Sequence, residues 1–351
     1  MRAIDLEKLV RPNIQKLRPY SPARKEFSGE ARIFLDANEN SLGSPLPGNL
    51  NRYPDPLQIS VKKALSRSIG LGVEEIFLGN GSDEAIDLLF RVFCEPRTDN
   101  IIICPPTYGM YEVSADINDV ETRRVPLTDE FELDVAGTLK AVDEQTKIIF
   151  ICSPNNPTGN VMRRDDVITL LESFDGLVVV DEAYIHFSGV DSILDALGSH
   201  RNLVVLQTFS KAWGLAGLRV GAAYADRLIV DLLNRVKPPY NLSSVAQRLI
   251  LEALEKRAEV DSSIGRILEE RERLVEALGS IGCVREIFRT DANFVLVKVT
   301  DADSTYEKLL TEGIVVRNRS MVEKCEGGLR ITVGTREEND ALILSIRGFG
   351  K

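Results

Sequence analysis

A chain of 351 residues with 44% hydrophobic and 27% charged side chains has the length and balance for one large domain and a smaller companion. Its formal net charge of −10 weighs against sequence-independent nucleic-acid binding, which needs a basic surface, and no apolar run is long enough to span a bilayer. The opening MRAIDLEKLVRPNIQKL is broken by charges and lacks a secretory apolar core, so a cytoplasmic location is expected.

Residues 1–30 are polar and carry Pro12, Pro19 and Pro22, which predicts a helix followed by an irregular arm. A short strand is expected over 32–35, running into Asp36-Ala37-Asn38-Glu39-Asn40. A proline-rich loop comes next over 41–56, with Tyr53 inside it. Regular patterning then begins: a helix over 57–69, a strand over 75–78, and Gly79-Asn80-Gly81-Ser82-Asp83 turning into a helix over 84–93. A glycine-containing loop that opens a helix gathers free N–H groups and the positive end of the helix dipole, which suits a phosphate.

Four apolar runs come next, each closed by a polar or aromatic group. Residues 100–104 lead to Tyr108, 147–152 to Ser153-Pro154-Asn155-Asn156-Pro157-Thr158-Gly159, 177–180 to Asp181 and Tyr184, and 203–206 to Lys211. Apolar strands alternating with helices, such as the one expected over 165–174, indicate a largely parallel sheet covered on both faces. Ligands of such sheets bind beyond the carboxyl ends of the strands, so four chemical groups there describe a site. Past Tyr224 the pattern is helical through Leu278. Strands over 293–299, 314–317 and 329–333 and a helix over 305–312 then make a smaller α+β unit, in which Arg317 and Arg330 sit at strand ends.

The chemistry of these groups converges on pyridoxal phosphate. Lys211 is the amine for its aldehyde, and burial is expected to lower its pKa. Asp181 suits the ring nitrogen, Asn155 and Tyr184 the ring hydroxyl, and Tyr108 the ring face. Gly81, Ser82, Asp83, Ser210 and Arg219 suit the phosphate. Lys211, Asp181 and Tyr184 are the catalytic candidates. The guanidinium groups of Arg317 and Arg330 match a carboxylate or a phosphate ester of the substrate. Cys94, Cys104, Cys152, Cys283 and Cys325 form no C-x-x-C pair and are expected as free thiols. His186 and His200 are too few for a dedicated metal site.

With those residues in view, SPNNPTGN, VVVDEAY, TFSKAWGLAGLRVG, CPPTYGMY and LRITVGTREEN resemble the fold-type I aminotransferases. LDANEN, NRYPDP and RPY narrow the resemblance to the histidinol-phosphate aminotransferases, over about residues 18–338. The resemblance implies a mostly parallel seven-stranded sheet in an α/β/α sandwich plus a smaller α+β domain. Its expected division is an arm with part of the small domain over 1–50, a large cofactor-binding domain over 51–260 and a small domain over 261–351. It implies a homodimer in which Tyr53 reaches the cofactor phosphate of the partner subunit, and it adds Tyr20, Asn38 and Asn155 as substrate-binding candidates. The implied reaction moves an amino group between L-histidinol phosphate and 2-oxoglutarate, giving imidazole-acetol phosphate and L-glutamate. Ser41 stands where the family often has proline, and Trp213 differs from some relatives. The alternatives are a broad aromatic aminotransferase and a phosphothreonine decarboxylase-like enzyme or C–S lyase on the same scaffold. An effector-sensing regulator is disfavoured because no length remains for a DNA-binding domain.

Overall fold

The computed structural model describes residues 4–20 and 33–348. The expected opening helix is two single turns, α1 (Leu6–Leu9) and α2 (Pro12–Gln15), because Pro12 starts a new turn at its first position. Both are pinned by burial of Leu6, Val10 and Ile14 and by the Arg11 side chain, which donates to Glu95 and to the Arg91 carbonyl. The strand expected over 32–35 does not form: residues 33–35 are irregular, with Ile33 and Leu35 exposed, and Arg32 lies outside the described residues.

Helix α3 (Ile59–Ile69) leads into the large sheet. Its strands are β1 (Ile76–Gly79), β2 (Asn100–Ile103), β3 (Glu121–Arg124), β4 (Thr146–Cys152), β5 (Leu177–Asp181), β6 (Leu203–Thr208) and β7 (Gly221–Ala225). Their order is β1-β7-β6-β5-β4-β2-β3, parallel from β6 to β3, with β7 antiparallel to both β1 and β6. Alternate strand residues feed opposite layers. Ile148, Phe150 and Val179 join the core under α4 (Ser82–Phe93), α5 (Met110–Ile117) and α8 (Arg227–Val236). Ile149, Ile151, Val178 and Val180 join the core under α3, α6 (Val135–Ala141), α7 (Arg164–Ser173) and α9 (Ser244–Leu254). The result is the expected α/β/α sandwich.

The long helix α10 (Arg257–Gly279) leads to an antiparallel sheet of order β10-β11-β9-β8, made of β8 (Val284–Ile287), β9 (Phe294–Val299), β10 (Arg317–Asn318) and β11 (Gly328–Thr332). One face of this sheet, carrying Val295, Val297, Leu329 and Ile331, packs on α10, α11 (Ala302–Thr311) and α12 (Arg336–Arg347). The other face meets the large sheet through Phe294, which joins Tyr184, Phe187 and Ala212 in a separate core. The strand expected over 314–317 is displaced: residues 314–316 are irregular and pairing starts only at Arg317.

All five cysteines are free. Among the described residues no cluster of His, Cys, Asp and Glu suits a metal ion, and no helix is long and apolar enough to cross a membrane.

Candidate active site

The carboxyl ends of β4, β5 and β6 open into a cavity of about 130 Å³. Gly81, Ser82, Asp83, Tyr108, Asp181, Tyr184, Ser210, Lys211 and Arg219 all line it, together with Cys152, Asn156, Ala183 and Thr208. A larger cavity of about 430 Å³, lined by Tyr20, Lys62, Lys237 and their neighbours, holds none of the strand-end groups.

Asp181 ends β5 in register with Cys152 of β4 and Leu206 of β6, which fixes it at the floor of the pocket. It is 2% exposed. Its Oδ2 accepts from the Tyr111 hydroxyl at 2.8 Å and its Oδ1 from the Ala183 N–H at 3.1 Å. Burial pushes its pKa up to about 6, partly offset by those two hydrogen bonds. A buried carboxylate with this little compensation favours a cation brought against it. Tyr111 is itself fully buried and stacked on Phe150, with ring centroids 4.8 Å apart. Sequence patterning misses its role as the support of Asp181, because CPPTYGMY draws attention to Tyr108 instead.

Lys211 comes after β6, past Ser210. Burial is the sequence expectation for it, but its side chain is exposed toward the open pocket because the strand ends three residues before it. Its amine lies 5.6 Å from the centroid of the Tyr184 ring. Partial desolvation, then the Arg330 and Arg219 cations, lower its pKa, while Asp181 and Asp83 act in the opposite sense. Tyr184 is nearly buried, edge-on to Phe294 at 5.1 Å, and its hydroxyl has no hydrogen-bond partner among the described residues.

The anion end of the pocket is built on the start of α4. Gly81, at φ 76°, has no side chain to cap the helix, so the first turn starts uncapped where Gly81, Ser82 and Asp83 line the cavity. Gly221 of β7 crosses directly behind, where an added Cβ would stand 2.2 Å from the Ser82 nitrogen; at Gly81 a Cβ would meet Arg219 Nη2 at 2.8 Å. Arg219, in the left-handed region at φ 55°, reaches Ser210 Oγ at 3.4 Å and Asp83 Oδ2 at 3.5 Å. These long contacts leave most of its guanidinium for another anion. Asp83 Oδ1 accepts from the Tyr108 hydroxyl at 3.1 Å, which orients that ring over the pocket.

Two adjacent asparagines exchange places relative to expectation. Asn155 is fully buried; its amide donates to the Pro106 carbonyl and to Thr158 Oγ1, and its Oδ1 accepts from Thr107. It is spent on holding the loop, and Asn156 is the side chain that lines the pocket. Arg330 Nη1 donates to Asn156 Oδ1 at 2.5 Å, which brings the small sheet to the rim. Arg317 is the register partner of Arg330 across β10 and β11. The remaining candidates lie elsewhere: Tyr53 is half exposed and stacked on Tyr240 at 4.5 Å, Tyr20 borders the larger cavity, and Asn38 is exposed at φ 52°.

The chain's own residues fit pyridoxal phosphate: a close-approach glycine cradle at a helix start, a buried carboxylate and an amine of lowered pKa all line one cavity. A pocket of this kind at the carboxyl ends of a mostly parallel sheet defines a fold-type I pyridoxal-phosphate enzyme. The family model for aminotransferase class I and II matches residues 36–346. The histidinol-phosphate aminotransferase of Parabacteroides distasonis is 50% identical over 345 residues, covering 98% of this chain and 99% of that protein. Two crystal structures share the fold. The Clostridium acetobutylicum histidinol-phosphate aminotransferase has a TM-score of 0.80 at 24% identity, over 86% of this chain and 91% of that one. The Sinorhizobium meliloti enzyme, in complex with pyridoxal-5'-phosphate, has a TM-score of 0.79 at 22% identity, over 96% of both chains. The chain belongs to the class I and II aminotransferases and, within them, to the histidinol-phosphate aminotransferase family.

Proposed function

We propose that this chain transfers the amino group between L-histidinol phosphate and 2-oxoglutarate, giving imidazole-acetol phosphate and L-glutamate. The observation that supports this reading is Arg330 of the small sheet, joined to Asn156 at the rim of a lysine–aspartate pocket. An anionic substrate is gripped at its far end while its amine reaches Lys211.

Pyridoxal phosphate, when bound, supplies the aldehyde that takes up the amino group and a cationic ring that accepts electrons when the α-proton leaves. The chain's residues do the rest. The start of α4, Ser210 and Arg219 hold the phosphate, and Tyr108 covers the ring face. Asp181 keeps the ring nitrogen protonated, and Tyr111 and Ala183 keep Asp181 in place. Tyr184 and Asn156 hydrogen-bond the ring hydroxyl. Lys211 would take the proton from the substrate α-carbon as general base and deliver it to the former aldehyde carbon, on the other side of the amino nitrogen; its lowered pKa keeps more of it neutral for that task.

The functional unit in this reading is a cytoplasmic homodimer, with an arm and part of the small domain over 1–50, a large domain over 51–260 and a small domain over 261–351. Tyr53 then serves the partner's pocket, and Tyr20 and Asn38 complete substrate binding from the arm. Support comes from the loop before α3, which exposes Leu42, Leu46 and Tyr53, an apolar set that a second copy would cover.

Supplied with 2-oxoglutarate, the enzyme is expected to form glutamate from histidinol phosphate at a kcat/KM well above that for phenylalanine or tyrosine, and to release no carbon dioxide from phosphothreonine. Decarboxylation of phosphothreonine without glutamate formation would assign the pocket to the rival chemistry.

A further inference from the structure

Three arginines share one face of the small sheet. Arg317 and Arg330 are opposite each other across β10 and β11. The Arg319 N–H donates to the Gly328 carbonyl at 2.8 Å, which continues the same antiparallel register by one step past the end of β10. Residues two apart along a strand point to the same side, so Arg319 joins Arg317 and Arg330 on the face turned toward Tyr184 and Phe294.

These side chains are short of partners. The molecule has 53 Asp and Glu against 43 Lys and Arg, and arginines elsewhere are commonly paired, as in Arg11–Glu95, Arg123–Asp143 and Arg273–Asp340. Among the described residues neither Arg317 nor Arg319 has a side-chain hydrogen bond or a carboxylate partner, and Arg330 has only Asn156. The Nε atoms of Arg319 and Arg330 and the Oγ of Ser320 are buried with no partner among the described residues. Burial disfavours the charge on Arg319 and Arg317 adds repulsion, while Cys325 and then the Tyr184 hydroxyl group in the pocket act in the opposite sense. Burial also disfavours the charge on Arg330; Tyr184 acts in the opposite sense, and Arg319 and Arg317 add repulsion. Three clustered guanidinium groups that forgo available carboxylates are compensated only when an anion of more than one charge enters.

We propose that Arg319 is a specificity-determining residue for the amine donor, binding with Arg317 the doubly charged phosphate-ester end of the substrate and leaving Arg330 to the carboxylate of the second substrate. The inference rests on the proposed reaction. It adds a residue that sequence patterning passes over, because the strand expected there ends at Arg317.

The test compares wild type, Arg319→Gln and Arg319→Lys, with histidinol phosphate and its dephosphorylated counterpart histidinol as amine donors. Removing one charge-assisted contact to the dianion is expected to lower the ratio of the two kcat/KM values by about 10- to 100-fold in Arg319→Gln. Arg319→Lys, which keeps the charge and loses the fork, is expected to recover part of that ratio. Calorimetric titration of the holoenzyme with inorganic phosphate gives a readout apart from turnover, and its affinity is expected to fall in Arg319→Gln. An unchanged ratio, or equal losses for both donors, overturns the proposal and leaves Arg319 a structural residue. If wild type itself forms no glutamate from histidinol phosphate, the proposed reaction fails first, which is a different result from an unchanged ratio in an active enzyme.

Discussion

Lys211→Ala is expected to lose about 10,000-fold or more of its turnover while keeping its fold and its cofactor. The side chain makes no hydrogen bond among the described residues and extends into an open pocket, so its removal leaves no cavity in the core. The backbone turn around it, closed by the Gly214 N–H on the Lys211 carbonyl at 3.0 Å, is untouched by the substitution. The cofactor is retained because the start of α4, Ser210, Arg219 and Asp181 all remain. In the proposed reaction the substitution deletes the pocket's amine, and with it the base that moves the α-proton. Thermal melting, cofactor titration and single-turnover rates on the same preparation check the three parts separately. Near-wild-type turnover would remove Lys211 from the mechanism.

Asp181→Asn is expected to cost on the order of 100- to 10,000-fold in rate, several kcal/mol of transition-state stabilisation, with a much smaller cost to the fold. The amide has nearly the same shape, so the contact with Tyr111 can persist, but it carries no charge to keep the cofactor ring protonated. The pH dependence of apoprotein stability separates the two effects. Burial raises the folded pKa of Asp181 to about 6, from the 3.8 of an unperturbed aspartate. The stability contributed by a raised pKa is fully present below the unfolded value and is lost as pH rises through the folded one. Ionising Asp181 in the apoprotein therefore costs roughly 3 kcal/mol at most between about pH 4 and 7, a cost that asparagine does not bear. The melting temperature of apo Asp181→Asn relative to apo wild type is expected to rise over that interval. A variant that unfolds at every pH and shows no selective rate loss would make Asp181 a structural residue.

The strand-end chemistry is legible in the sequence because parallel strands buried on both faces appear as unbroken apolar runs, and the residues just past each run lie at one edge of the sheet. Asp181, Lys211 and Tyr108 are found that way. β7 is not, because Gly221-Ala222-Ala223-Tyr224-Ala225 owes its place to close packing against Ser82 and not to apolar bulk. Asn155 and Asn156 differ only in which way the loop turns, and local patterning carries no sign of that. Tyr111 looks like an ordinary core aromatic; only the tertiary contact with Asp181 sets it apart. Arg319 depends on strand register, and the expected strand runs three residues early. Tyr20, Asn38 and Tyr53 lie in segments without periodicity, and nothing local fixes where they point.

The most direct test reduces the holoenzyme with borohydride, which fixes an amine-bound pyridoxal group, and maps the modified peptide by mass spectrometry. Lys211 is not the only lysine of lowered basicity: burial takes the amines of Lys62 and Lys237, at the larger cavity, down to about 8. Reactivity alone would therefore spread the label among them. A strand-end pocket that seats the phosphate on α4 and the ring nitrogen on Asp181 predicts one modification per chain, on Lys211. Stoichiometric label on Lys62 or Lys237, with Lys211 unmodified, would contradict it.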